Sequence, residues 1–208
     1  VDLTGPELGS FDFGGAIFSN NASGAGTGQI NSFVRISTND PVEEGYNTSD
    51  RPLDYDENNS PQFTRDLFFG DIPVVTLYDD EGNAAYYLEF QLDINEPDSG
   101  ATSYLSLDQI EIYISDTQVP SGDPGTVDLA EHGELVWELD ADGADNWIAL
   151  DYTLNPGSGV SDMVLYIPLE DFEAAADGGS GLQDGTYVTL YSQFGLQADY
   201  ESVDGELV

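Results

Sequence analysis

The stretch Val74-Val75-Thr76-Leu77-Tyr78-Asp79-Asp80-Glu81-Gly82-Asn83-Ala84-Ala85-Tyr86-Tyr87-Leu88-Glu89-Phe90-Gln91-Leu92-Asp93-Ile94 decides the fold class. A β-branched apolar run meets a turn of Asp, Gly and Asn, and a second run returns with a period of two. Leu88, Phe90, Leu92 and Ile94 alternate with Glu89, Gln91 and Asp93, so the first set is expected inward and the second outward. This is an antiparallel hairpin with one covered face.

Outward from it the same pattern recurs. Ser10-Phe11-Asp12-Phe13 alternates and meets Gly14-Gly15, and residues 29–37 alternate Ile30, Phe33/Val34 and Ile36. Further strands are expected at 109–114, 134–139, 147–154, 162–167 and 186–194, and Pro168–Phe172 reads as one short helical turn. Residues 19–28 read as a small-residue loop, and 38–62, with Pro41, Pro52 and Pro61, as a long polar loop. The sum is an all-β chain: a single antiparallel β-sandwich or jelly roll with long acidic loops. Its organisation is read as an extended N-terminal segment (1–18) followed by a sandwich domain (19–208).

Charge sets the chemistry. The 208 residues carry 41 Asp and Glu against 3 arginines and no lysine, a formal net charge of -38. Repulsion of that size works against a compact state and calls for counter-ions. Phosphates are repelled, so nucleic acid is excluded as a partner. No apolar run approaches the roughly 20 residues of a membrane-spanning helix, so membrane insertion is not expected. The 12 Tyr, 10 Phe and 2 Trp set the chain apart from disordered acidic sequences. Cysteine is absent, which removes disulfides and thiol chemistry. Val1 in place of Met fits a removed signal peptide, and both ends are expected to be tied down.

Four acidic groups are candidates for Ca²⁺, which takes 6–8 oxygen ligands. Asp140, Asp142, Asp145 and Asn146 form an Asp-x-Asp-Gly turn that lacks the twelfth-position Glu of an EF-hand. Asp79, Asp80 and Glu81 form a second group, and Asp93, Asn95 and Asp98 a third; Asp54, Asp56 and Glu57 sit in the long loop. Oxygen-only ligands favour Ca²⁺ or Mg²⁺ over transition metals. The plainer reading of each group is a solvated turn. No enzyme is expected: His132 is the single histidine, no Gly-x-Ser-x-Gly elbow occurs, and Gly24–Gly28 lacks the lysine of a phosphate loop. Tyr46, Tyr55, Tyr86, Tyr87, Trp147 and Tyr152 are either a sugar-stacking face or ordinary strand packing. Asn21, Asn47 and Asn58 match the glycosylation acceptor pattern.

Gly26–Ile36, Glu44–Thr48, Asp71–Thr76, Glu89–Asn95, Leu105–Tyr113, Gly159–Met163 and Tyr187–Gly195 together resemble a group of uncharacterised secreted bacterial proteins of the PEP-CTERM-sorted, exopolysaccharide-associated type. The resemblance spans about residues 15–200. It implies export and an extracellular or cell-surface place, often with polysaccharide. The Pro-Glu-Pro sorting tail is not in this sequence, and no catalytic residue transfers. The expectation is therefore a secreted structural subunit that polymerises with itself into a calcium-stabilised filament or matrix. Donor-strand addition is the expected route, with Phe11, Phe13 and Ile17 as interface anchors. The alternative is a calcium-stabilised carbohydrate-binding module.

Overall fold

The computed structural model describes residues 1–5, 9–20, 30–38, 40–79, 81–95, 103–122, 127–156, 159–176, 181–197 and 200, without the side chain of Asp142. Val208, Asp80 and Asp98 lie outside the described residues, as does most of the 19–28 loop.

The strands are β1 (Ser10–Phe13), β2 (Ala16–Ser19), β3 (Glu43–Tyr46), β4 (Leu67–Phe68), β5 (Val74–Tyr78), β6 (Ala84–Leu92), β7 (Tyr104–Ser115), β8 (Glu134–Glu138), β9 (Ile148–Asp151), β10 (Met163–Pro168) and β11 (Tyr187–Phe194). One helix, α1 (Leu169–Ala176), follows β10. They form two antiparallel sheets. One has the order β1-β2-β10-β6-β5. The other has β3-β11-β7-β8, with β4 also on β11 and β9 also on β7. The expected all-β sandwich is present.

The leading hairpin forms as read, with Val74 opposite Leu88 and Thr76 opposite Tyr86. Leu88, Phe90 and Ile94 are buried between the sheets with Phe18, Leu165 and Phe194. β1 and β2 join through Gly14 and Gly15 at φ 59° and 85°. Two successive positive φ values define the turn whose twist suits a two-residue hairpin, and glycine adopts them without strain.

Three readings change. Residues 30–38 make no regular strand and only the isolated bridge Ile36–Glu57. Their backbone instead bonds irregularly with the loop that returns over them: Asn58 N to Arg35 O at 2.8 Å and Arg65 N to Phe33 O at 2.9 Å. Within the expected long loop lies β3, paired to β11 from Glu43–Phe194 to Tyr46–Tyr191. Its Glu-Glu-Gly composition gives no strand signal. The expected single turn at 168–172 runs on as α1 to Ala176, and Phe172 anchors it, fully buried, against Phe69.

The N-terminal segment is engaged within its own chain. The Val1 ammonium donates to Trp147 O at 2.7 Å. Leu3 N donates to Ala149 O, and Ala149 N to Val1 O. Leu3 is 2 % exposed in the common core. Residues 1–5 and 9–18 therefore touch both sheets of their own domain. Phe11 is exposed, while Phe13 and Ile17 are half-buried in the β1–β2 hairpin.

Candidate functional site

Of the expected metal ligands, two groups spend their carboxylates on their own turns. Asp140 Oδ1 accepts from Asn146 N at 2.7 Å, and Asn146 Nδ2 donates to Leu139 O at 3.0 Å. A 3-10 turn over Ala141–Gly143 separates them, and Asp145 is exposed. Asp79 Oδ1 accepts from Glu81 N and Asn83 N, and its Oδ2 from Asn83 Nδ2 at 2.8 Å. These bonds, led by Asn83, hold the Asp79 carboxyl below the usual carboxylate range. Both are turn-closing devices of the Asx kind. Among the described residues, no three acidic or histidine side chains converge as a metal group.

Asp93 is different. It lies just beyond the β6–β10 ladder, in which Met163 faces Leu92, Leu165 faces Phe90 and Ile167 faces Leu88. Past the ladder Asp162 N donates to Leu92 O at 2.8 Å, so the register steps by one residue there, and Asp162, 69 residues away in sequence, comes close enough to Asp93 to feel its charge. Two like charges brought close together out of water repel. Each carboxylate reaches over to the other strand's backbone. Asp93 Oδ2 accepts from Gly159 N at 2.6 Å, and Asp162 Oδ2 from Ile94 N at 2.8 Å.

Asp93 is 0 % and Asp162 5 % exposed. Their second oxygens, both Oδ1 atoms, are buried with no hydrogen-bond partner. Burial drives the Asp93 carboxyl up to about 6 against the opposing pull of the Gly159 bond and the Arg35 charge. Burial likewise drives Asp162 up to about 8, with Asp93 and Asp151 adding repulsion. Buried Asp108 shows what satisfaction looks like: it accepts from Ser106 Oγ, Leu196 N and Gln197 Nε2. Asn95 follows this pair half-buried.

Asp162 carried no signal as a ligand in the sequence, because its partner is set by strand pairing and not by spacing. Glu57 is a second isolated case. Its Oε1 accepts from Tyr46 N at 3.0 Å, its Oε2 is buried without a partner, and burial raises its carboxyl to about 7.

The aromatics do not make one face. Tyr46 and Tyr55 pack edge to face on the six-stranded sheet. Tyr86 and Tyr87 lie on β6 in the other sheet, Trp147 packs on Tyr200, and Tyr152 sits against the core. Beside Tyr46 an open basin of about 510 Å³ is lined by Glu44, Tyr55, Glu111, Tyr113, Asp128 and Tyr191. Tyr191 Oη donates to Glu44 and Tyr113 Oη to Glu111, fixing these carboxylates.

The five-stranded sheet ends in two edges with apolar side chains. From the pairing registers, Val74, Thr76 and Tyr78 of β5, with Tyr86 of β6, share the core side of that sheet with Leu88 and Ile167. There they overhang the core: Val74 is 51 %, Tyr78 71 % and Tyr86 58 % exposed. At the opposite edge Phe11 and Phe13 face Phe18 and Ala16, again on the core side. No charged residue falls between Asp71 and Asp79.

These features define an all-β two-sheet sandwich with a clasped acidic pair and an uncharged edge. Comparison with protein-family models, curated proteins and solved structures gave no match.

Proposed function

We propose that the protein is a secreted structural subunit that polymerises with copies of itself through the edges of its five-stranded sheet, with Ca²⁺ offsetting its charge. The observation that carries this is β5 with the two residues before it: the run Ile72–Tyr78 has no charge, and Val74 and Tyr78 of the edge strand are exposed, in a chain of net charge -38. Folded proteins usually guard such an edge with charge, because its unpaired backbone groups recruit another strand. β1 and β5 run in the same direction, since each step across the sheet is antiparallel. A two-fold axis normal to the sheet pairs β5 with a partner's β5 antiparallel and keeps both core sides on one face. Centred on Thr76, that pairing sets Val74 against the partner's Tyr78. The same operation at β1 brings Phe11 and Phe13 to a partner's hairpin. Two alternating two-fold contacts leave no closed ring and extend as a filament. This arrangement puts the aromatic anchors at an edge contact and leaves residues 1–5 and 9–18 in their own domain. Electron microscopy of the secreted material with and without chelator tests it: filaments that shorten or soften in EDTA are expected, and dispersed monomers in both conditions contradict it.

The basin supports a second reading, a carbohydrate-binding module. Fixed carboxylates beside tyrosine rings suit a neutral polyhydroxylated ligand, with the acids accepting from hydroxyls. Retention of polysaccharide by the wild type and its loss in Tyr191→Ala distinguish this reading from a purely structural subunit.

A further inference from the structure

We propose that Asp93 and Asp162 hold one Ca²⁺ between them, clamping the end of β6 to the chain entering β10. Two observations meet here. Each carboxylate accepts a hydrogen bond from backbone beside the other residue, and each keeps one buried oxygen with no donor. Orphaned buried acceptors cost free energy, and two like charges close together add to it. A cation between the two Oδ1 atoms satisfies both at once.

The existing bonds leave room for that role. Oδ2 of each residue is occupied by the opposite strand's backbone, from Gly159 N and Ile94 N, so the pair is already oriented. Ser161 Oγ donates to Met163 O at 2.7 Å and so pins the turn beside Asp162. The charged groups acting on the pair are Arg35, on Asp93, and Asp151, on Asp162. Asp151 Oδ1 is held by Thr153 N and Oγ1.

The donors are all oxygen, which selects a hard cation. Ca²⁺ accepts irregular sets of carboxylates, backbone carbonyls and waters, whereas Mg²⁺ demands a near-octahedral shell and sheds water reluctantly. Bridging strands from distant parts of the sequence, the ion acts as a clasp on the sheet that also carries the β5 edge. This site rests on the reading that Ca²⁺ offsets the chain's charge, and it names where.

The test is calorimetric titration of the full chain with CaCl₂ at constant ionic strength, on wild type, Asp93→Asn and Asp162→Asn. Melting temperatures in EDTA serve as the folding control. The wild type is expected to bind Ca²⁺ saturably in the submillimolar to millimolar range typical of extracellular sites. Either variant is expected to bind at least tenfold more weakly while melting in EDTA no lower than the wild type. Wild-type affinity in both variants overturns the proposal. So does a wild type that binds nothing in that range, which leaves a proton shared by the two carboxyls as the neutralising device. Repeating the titration on Thr76→Lys separates the site from assembly: binding survives there if the site is right and polymerisation is lost.

Discussion

Asp93 and Asp162 clasp each other's neighbourhood at the end of the β6–β10 ladder: Asp93 Oδ2 accepts from Gly159 N, Asp162 Oδ2 accepts from Ile94 N, and each leaves Oδ1 buried and unmatched. Without a cation this arrangement is frustrated. In EDTA at pH 8, Asp162→Asn is expected to raise stability by about 1–2 kcal/mol, since an amide keeps the acceptor and removes one buried charge. Asp93→Asn acts in the same direction. The two together gain less than the sum, because the first substitution already removes their mutual repulsion. Urea unfolding of the four proteins checks this. A loss of stability in both single variants, measured without Ca²⁺, contradicts the repulsive account.

Glu57 sets a pH dependence of its own. Its folded carboxyl is raised to about 7, so the folded state holds this proton more tightly than the unfolded chain does. The stability it contributes is complete below the unfolded value and is lost as pH rises through 7. At about 1.4 kcal/mol per pKa unit, the loss is on the order of 3 kcal/mol. Glu57→Gln retains the acceptor for Tyr46 N and is expected to flatten the stability profile between pH 5 and 8. An unchanged slope in the variant assigns the dependence elsewhere.

Gly45 packs directly on that side chain. A Cβ built there falls 2.6 Å from Glu57 Cγ and 3.0 Å from Cδ. Gly45→Ala is expected to cost about 1–3 kcal/mol by overpacking, read as a lower denaturant midpoint with an unchanged m-value. A neutral substitution means that the Glu57 stem moves aside freely.

The first residues belong to the fold. Leu3 sits in the common core and its backbone bonds to Ala149 of β9. Leu3→Ala is expected to cost about 2–4 kcal/mol, in thermal or chemical unfolding. A surface-like change below about 0.5 kcal/mol contradicts this placement and revives a free N-terminal arm.

The sheets were legible where alternation was strong. β6 declares itself by Leu88, Phe90 and Ile94, and β7 by Ile110, Ile112 and Ile114, all of which the structure buries. The turn at Gly14-Gly15 was legible because only glycine suits two positive φ values. Alternation failed at Asp93: it put the side chain outward, whereas the turn from Gly159 to Asp162 closes over it. β3 was hidden because Glu43 and Gly45 are poor strand residues, held there by pairing with β11. Asp162 was hidden because a cross-strand neighbour 69 residues away leaves no trace in local spacing. The turn acids had a visible pattern, but Asp79 and Asp140 use it to close backbone. The arginines are tied to particular places in the fold, with Arg35 acting on Asp93 and Arg51 on Asp50. Arg35 lies over the Phe63 ring, and Arg51 donates to the carbonyls of Thr48, Asp50, Asn59 and Thr64.

The central claim is that the uncharged edge at β5 joins one copy to the next. Its most direct measurement is sedimentation velocity of the wild type and Thr76→Lys, side by side in CaCl₂, with circular dichroism confirming equal folding. Thr76 sits at the centre of the edge, exposed, where a two-fold contact brings the two introduced charges together. The account predicts large, polydisperse species for the wild type and a single monomer boundary for the variant. Identical distributions for the two proteins, whether polymeric or monomeric, contradict it.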